Sequence, residues 1–132
     1  MVGERDEDPD GHDTVAGTAE SLLTFENAAL PLSVVRPAGV IVMANRAMRA
    51  LLRSRFDDLV GKSMYDVIIG DPARFARVWE ERFPPDKRVT PEQRMRLRCG
   101  DGSVITVRAS SVLVTDSQGA VRYIVARAVE ER

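Results

Sequence analysis

Side chains able to do chemistry are scarce in this sequence: there is one histidine, His12, and one cysteine, Cys99. One Cys with one His cannot complete the four-ligand set of a structural zinc site, and one Cys cannot form an internal disulfide. Carboxylates gather at Asp57, Asp58 and Asp66. Each falls in the first turn of a short helical pattern, where acids complement the helix dipole, so they read as helix-start residues. No Ser/His/Asp or Cys/His arrangement and no glycine-rich phosphate loop accompanies them, and the chain is expected not to be an enzyme. Arg94, Arg96 and Arg98 alternate along one stretch, with Arg108 further on. Nucleic-acid binding would need a larger charge excess and interleaved aromatics, whereas aromatics make up 5% and the net charge is -1. A solvated face or a protein contact is expected instead.

Cys99 continues the alternation of Met95 and Leu97. A small buried hydrophobe is the usual role of a free Cys in that setting, and a redox sensor would need exposure and a base beside it. The buried reading is preferred.

These residues must be held by a single core, since 132 residues suffice for one compact domain. Residues 1–13 carry six acids and one base, Arg5, which leaves the remainder of the chain basic. Almost nothing there is apolar, so 1–13 is expected to be a disordered acidic tail. No apolar run approaches the ~20 residues of a membrane span, and the acidic start does not resemble a signal peptide. The expectation is a cytoplasmic protein without a membrane partner.

Within 14–30, residues 18–27 read as a short amphipathic cap helix with Leu22, Phe25 and Ala29 on one stripe. Two short strands, 32–36 and 40–43, flank Pro37-Ala38-Gly39, a turn with preset φ followed by a glycine. Asn45 is suited to cap a helix over 46–52, Ser54-Arg55-Phe56-Asp57 resembles a capping box, and Ser63 repeats the start signal. Asp71-Pro72 opens the longest helical pattern, which runs to Pro84-Pro85. The period then changes from 3.6 to 2: strands are expected around Met95–Cys99, over 104–114 and over 120–129, joined by Gly100-Asp101-Gly102-Ser103 and Asp116-Ser117-Gln118-Gly119. The last strand is apolar on both faces, which predicts a central strand covered on each side. The order predicts an α+β domain with helices on one face of an antiparallel sheet.

From Leu22 to Arg132 the chain resembles the PAS family. The resemblance rests on Phe25-Glu26-Asn27-Ala28, Gly39, Asn45, Leu59-Val60-Gly61-Lys62-Ser63, Asp71 to Phe75, Arg96-Leu97-Arg98 and the two glycine-containing hairpin turns, taken in order and spacing. It implies a PAS-like five-stranded antiparallel sheet over 31–132, with short helices and one longer helix on one face, cupping a small cavity. It also implies a signal-transduction module acting by homodimerisation on an output domain of a longer parent protein.

Haem in such domains usually hangs from a histidine on or near the long helix. His12 is the only one here, so haem is disfavoured. A cysteinyl-flavin adduct needs a Cys after Gly61, where the chain reads Lys62-Ser63-Met64-Tyr65-Asp66. Candidate cavity residues are Ile41, Met43, Met48, Leu52, Phe56, Met64, Ile68, Phe75, Trp79, Met95, Leu97, Ile105, Val107 and Ile124. That lining suits an apolar ligand, such as a fatty acyl chain, but the same residues also fill a core at normal density, and the filled core is preferred. Homodimer contacts are expected at Leu22, Leu23 and Phe25 of the cap helix and at Tyr123 and Val125 of the last strand.

Overall fold

The computed structural model describes residues 11–70, 89–90 and 92–131, with side chains from residue 19 onward. Helix α1 (Gly11–Asn27) leads to strands β1 (Leu32–Val35) and β2 (Ile41–Ala44), then helices α2 (Arg46–Leu51) and α3 (Phe56–Leu59) and a 3-10 turn at Met64–Asp66. Strands β3 (Gln93–Arg98), β4 (Val104–Thr115) and β5 (Val121–Glu130) follow. The five strands form one antiparallel sheet in the order β2-β1-β5-β4-β3. This is the α+β architecture expected, with β5 at the centre.

Two boundaries differ from the expectation. Helix α1 starts at Gly11, inside the stretch read as a tail, because Ala16, Ala19 and Glu20 favour helix and extend the pattern backwards. Residues 1–10 lie outside the described residues. Helix α3 is capped one residue later than Ser54 implies: the Arg55 N–H donates to Asp58 Oδ2 at 3.3 Å, while the Ser54 hydroxyl donates to Leu52 O at 3.0 Å. The helix expected after Asp71-Pro72 lies outside the described residues.

The turns close by the chemistry their residues supply. Gly39 has φ 100 and donates to Arg36 O at 2.8 Å; an added Cβ would stand 2.8 Å from the Tyr65 ring. Between β3 and β4, Cys99 N donates to Ser103 O at 2.8 Å, and Asp101 Oδ1 accepts from Ser103 N at 2.9 Å. The Ser103 contacts hold the Asp101 carboxyl below its ordinary range.

The core lies between the inner sheet face and the short helices. Ala44, Met48, Leu52, Leu59, Leu97, Ile105, Val107 and Ala128 pack in one cluster with Cys99, and Val35, Ile41 and Met64 in a second. Cys99 is buried, and its thiol lies 3.7 Å from Leu51 O and 3.5 Å from Arg53 Nη1.

Candidate functional site: a small cavity and an open sheet face

The inner sheet face is paved with small side chains. Register sets Ala44 beside Ser33, Ser33 beside Ala126 and Ala126 beside Ser111; in the next row Ala109 pairs with Ala128 and Gln93. Alanine and serine cannot fill the space that Val or Leu would occupy at these positions, and the helical side opposite is walled by flexible residues such as Met48 and Met64. The result is a cavity of ≈ 100 Å³.

Of the residues expected to line it, Ile41, Met48, Leu52, Met64, Ile68, Met95, Leu97 and Val107 do so. Ile105 and Ile124 are buried without lining it, and Phe75 and Trp79 lie outside the described residues. Two positions need correction. Met43 pairs with Val34 on the outer face, because the register shifts between Val34 and Val35, so that Ile41 and Ala44, three residues apart, both point inward. A bulge of this kind inserts one residue and reverses the alternation beyond it. Phe56 is 50% exposed, since the single turn of α3 presents only Leu59 to the core.

The cavity's polar lining, Ser33, Gln93 and Ser111, is not among the residues expected there. None of their side chains has a hydrogen-bond partner among the described residues. Their positions on the inner rows of the strands are the available signal, although Ser and Gln more often face solvent. The cavity also sets a size. At ≈ 100 Å³ it does not favour a long acyl chain.

The outer face of the sheet divides into two regions. At one end Met43, Val34, Val125, Val112 and Val89 form a continuous row across the sheet, with Tyr123 and Val114 paired beside it. Val112 is 45% exposed, and Tyr123 and Val114 are also exposed. The expectation that β5 is covered on both faces is therefore corrected: among the described residues its outer face is open, and its apolar character there serves a surface. At the other end, Arg94 and Arg108 reach Glu131 at 2.8 and 3.2 Å, and Arg108 and Arg127 each stand 3.7 Å from Glu92. Two of the arginines expected to form a basic stripe are thus largely neutralised by local partners.

Helix α1 docks beside this sheet through its C-terminal end. Leu22 is exposed, Leu23 is 62% exposed and Phe25 is partly buried. Asn45, fully buried at 0% exposure, binds the junction together. Its Oδ1 accepts from Leu32 N at 3.0 Å and Met48 N at 2.9 Å, and its Nδ2 donates to Phe25 O and Leu30 O, both at 2.9 Å. Among the described residues no group of three or more His, Cys, Asp or Glu is placed to hold a metal ion, and no helix is long and apolar enough to cross a membrane.

A sheet in this order, with short helices over its inner face and a small cavity between, defines a class of sensory domain. The chain belongs to the PAS family: the family model described as the PAS fold matches residues 23–128. The PAS domain of an HTR-like protein from Haloarcula marismortui is similar in structure, with a TM-score of 0.73 at 18% identity, covering 90% of this chain and 96% of that one. A domain of a sensory box sensor histidine kinase/response regulator from Geobacter sulfurreducens gives a TM-score of 0.68 at 15% identity, covering 89% and 96%. The PAS domain of a two-component sensor histidine kinase gives 0.67 at 18% identity, covering 90% and 98%. No match was found among curated proteins. PAS domains are sensory signal-transduction modules, and the two histidine-kinase domains are parts of longer sensor proteins.

Proposed function

We propose that this PAS domain is a non-catalytic regulatory module that pairs with a second copy of itself and thereby controls an output domain in the same polypeptide. The observation that carries this reading is the apolar row from Met43 to Val89 across one end of the outer sheet face, in which Val112 and Val89, with the flanking Tyr123 and Val114, are exposed and Met43, Val34 and Val125 half-buried. A contiguous apolar patch rimmed by charge is characteristic of a protein contact rather than of a solvated surface. The ion pairs around Glu92 and Glu131 supply that rim at one end. Exposed Leu22 and Leu23 on α1 offer a second apolar element for the same contact.

Sedimentation equilibrium of the full chain tests the reading. A dimer is expected for the native sequence, and a monomer that still melts cooperatively for Val112→Glu, which places a charge between Val125 and Val89. A native chain that stays monomeric up to its solubility limit would overturn the proposal, as would a Val112→Glu variant as dimeric as the native chain.

A further inference from the structure

Beyond its apolar row, the outer sheet face carries an excess of positive charge. Register sets Arg94, Arg96 and Arg98 of β3 on this face beside Arg108 of β4, with Arg127 of β5 nearer the row. Glu131 and Glu92 answer Arg94, Arg108 and Arg127. Arg96 and Arg98 are exposed beyond them, on the outermost strand. Among the described residues, five arginines on this face thus stand against two glutamates.

The complementary charge lies in the same sequence. Residues 1–13 carry six acids and one base, and the last of those acids, Asp13, belongs to α1. Helix α1 is fastened to its own domain at its C-terminal end, where Glu26 meets Arg49 and Phe25 O accepts from Asn45. It leaves Leu22 and Leu23 exposed, so this apolar part of the helix is not spent on its own sheet.

Spacing matches the helix to the face. Leu22 and Asp13 are nine residues apart, about 13 Å along the helix axis. Val112 and Arg108 are four residues apart on β4, again about 13 Å along the strand. A helix laid along the strands with Leu22 on the apolar row therefore brings Asp13 level with Arg108. The same direction points the earlier acids of the chain towards Arg96 and Arg98.

We infer that the arginine end of the outer sheet face receives the acidic head of α1, residues 4–13, from a second copy of the chain. The inference rests on the self-association proposed above and names what orients it. By two-fold symmetry each copy gives its head to the other, so the contact is made twice. Exposed ion pairs contribute little singly, but opposed patches fix register and weaken with salt.

Sedimentation equilibrium of the full chain, in low and high sodium chloride, gives the first readout. Dimer affinity should fall about tenfold between 50 and 500 mM salt. Arg96→Glu with Arg98→Glu should weaken the dimer at least tenfold at low salt, and adding Asp6→Lys, Asp8→Lys and Asp10→Lys to that chain should restore it to within about threefold. A second readout separates a partner's head from the chain's own. Unlabelled Gly11→Cys protein carrying a nitroxide is mixed with ¹⁵N-labelled native chain, and native chain treated identically controls for Cys99. Broadening is expected at the Arg96 and Arg98 amides of the ¹⁵N chain. A dimer indifferent to the arginine reversals, or a mixed sample without that broadening, would overturn the inference and leave self-association standing. A native chain that is monomeric at both salt concentrations would overturn both.

Discussion

Glu26 and Arg49 meet fork to fork. Arg49 Nη1 donates to Oε1 at 2.9 Å and Nη2 to Oε2 at 2.8 Å, while Nη1 also donates to Ala44 O at 2.8 Å. One guanidinium thus fastens the end of α1 to α2 and to β2. The planar fork matches a carboxylate in a way a lysine ammonium cannot, so the contact fixes an orientation as well as a distance. Hydrogen bonding to Arg49 holds the Glu26 carboxyl below its ordinary range, and the same contact raises Arg49.

Acid should loosen α1. A carboxyl whose folded value lies below its unfolded one contributes fully above the unfolded value, about 4.3 for Glu, and loses that contribution as pH falls through the folded value. Amide exchange in α1, corrected for intrinsic rates, should therefore accelerate below about pH 4 while the β4–β5 amides keep their protection. Glu26→Gln should show the faster exchange already at neutral pH and lack the acid step. An acid step retained in that variant would assign it to another carboxyl.

Asn45→Ala should cost about 2–4 kcal/mol in a two-state melt, because it removes a helix cap and strands buried backbone groups of Leu32, Phe25 and Leu30. Asn45→Asp keeps the acceptor but loses the two donations and buries a charge, so it should not rescue. A loss below about 1 kcal/mol for Asn45→Ala would show that the junction relaxes and finds other partners.

Gly100→Ala tests the docking of the β3–β4 turn on the end of α2. Its Cβ would stand 2.5 Å from the Arg53 carbonyl oxygen, and Gly100 N donates to Leu52 O at 2.8 Å, so neither backbone can move freely. Arg53 itself has φ 48 and bonds the turn through Ser103 Oγ at 2.7 Å. A loss of about 1–3 kcal/mol is expected by chemical denaturation, and an unaffected midpoint would show that the turn can lift away.

Much of this architecture was legible in the residues. Asn45, the Gly39 turn, the two long hairpin turns and the alternation through Val107, Leu113 and Ile124 each carry a local mechanism, so they could be placed without tertiary information. Residues whose placement depends on a partner strand could not. The offset that turns Met43 outward arises from the pairing of β1 with β2, and nothing in Ile41-Val42-Met43-Ala44 announces it. Hydrophobicity alone does not bury Phe56, because one helical turn has only one inward position. The apolar outer side of β5 resembles a second covered face in sequence, since an exposed contact surface and a buried one use the same residues. The cavity itself follows from what is small at Ser33, Ala109, Ala126 and Ser111, and pattern reading registers large apolar residues more readily than missing volume.

The strand order carries a consequence for how the chain is made. Val125 pairs with Val112 on one side and with Val34 on the other, so β5 alone joins the first hairpin to the later meander. As the polypeptide leaves the ribosome, β1 emerges long before its second neighbour exists, and its free edge stays open throughout that interval. The long-range β1–β5 pairing carries the loop-closure cost that local hairpins avoid. In biosynthetic time the sheet is a clasp, completed by nearly the last residues of the domain to appear.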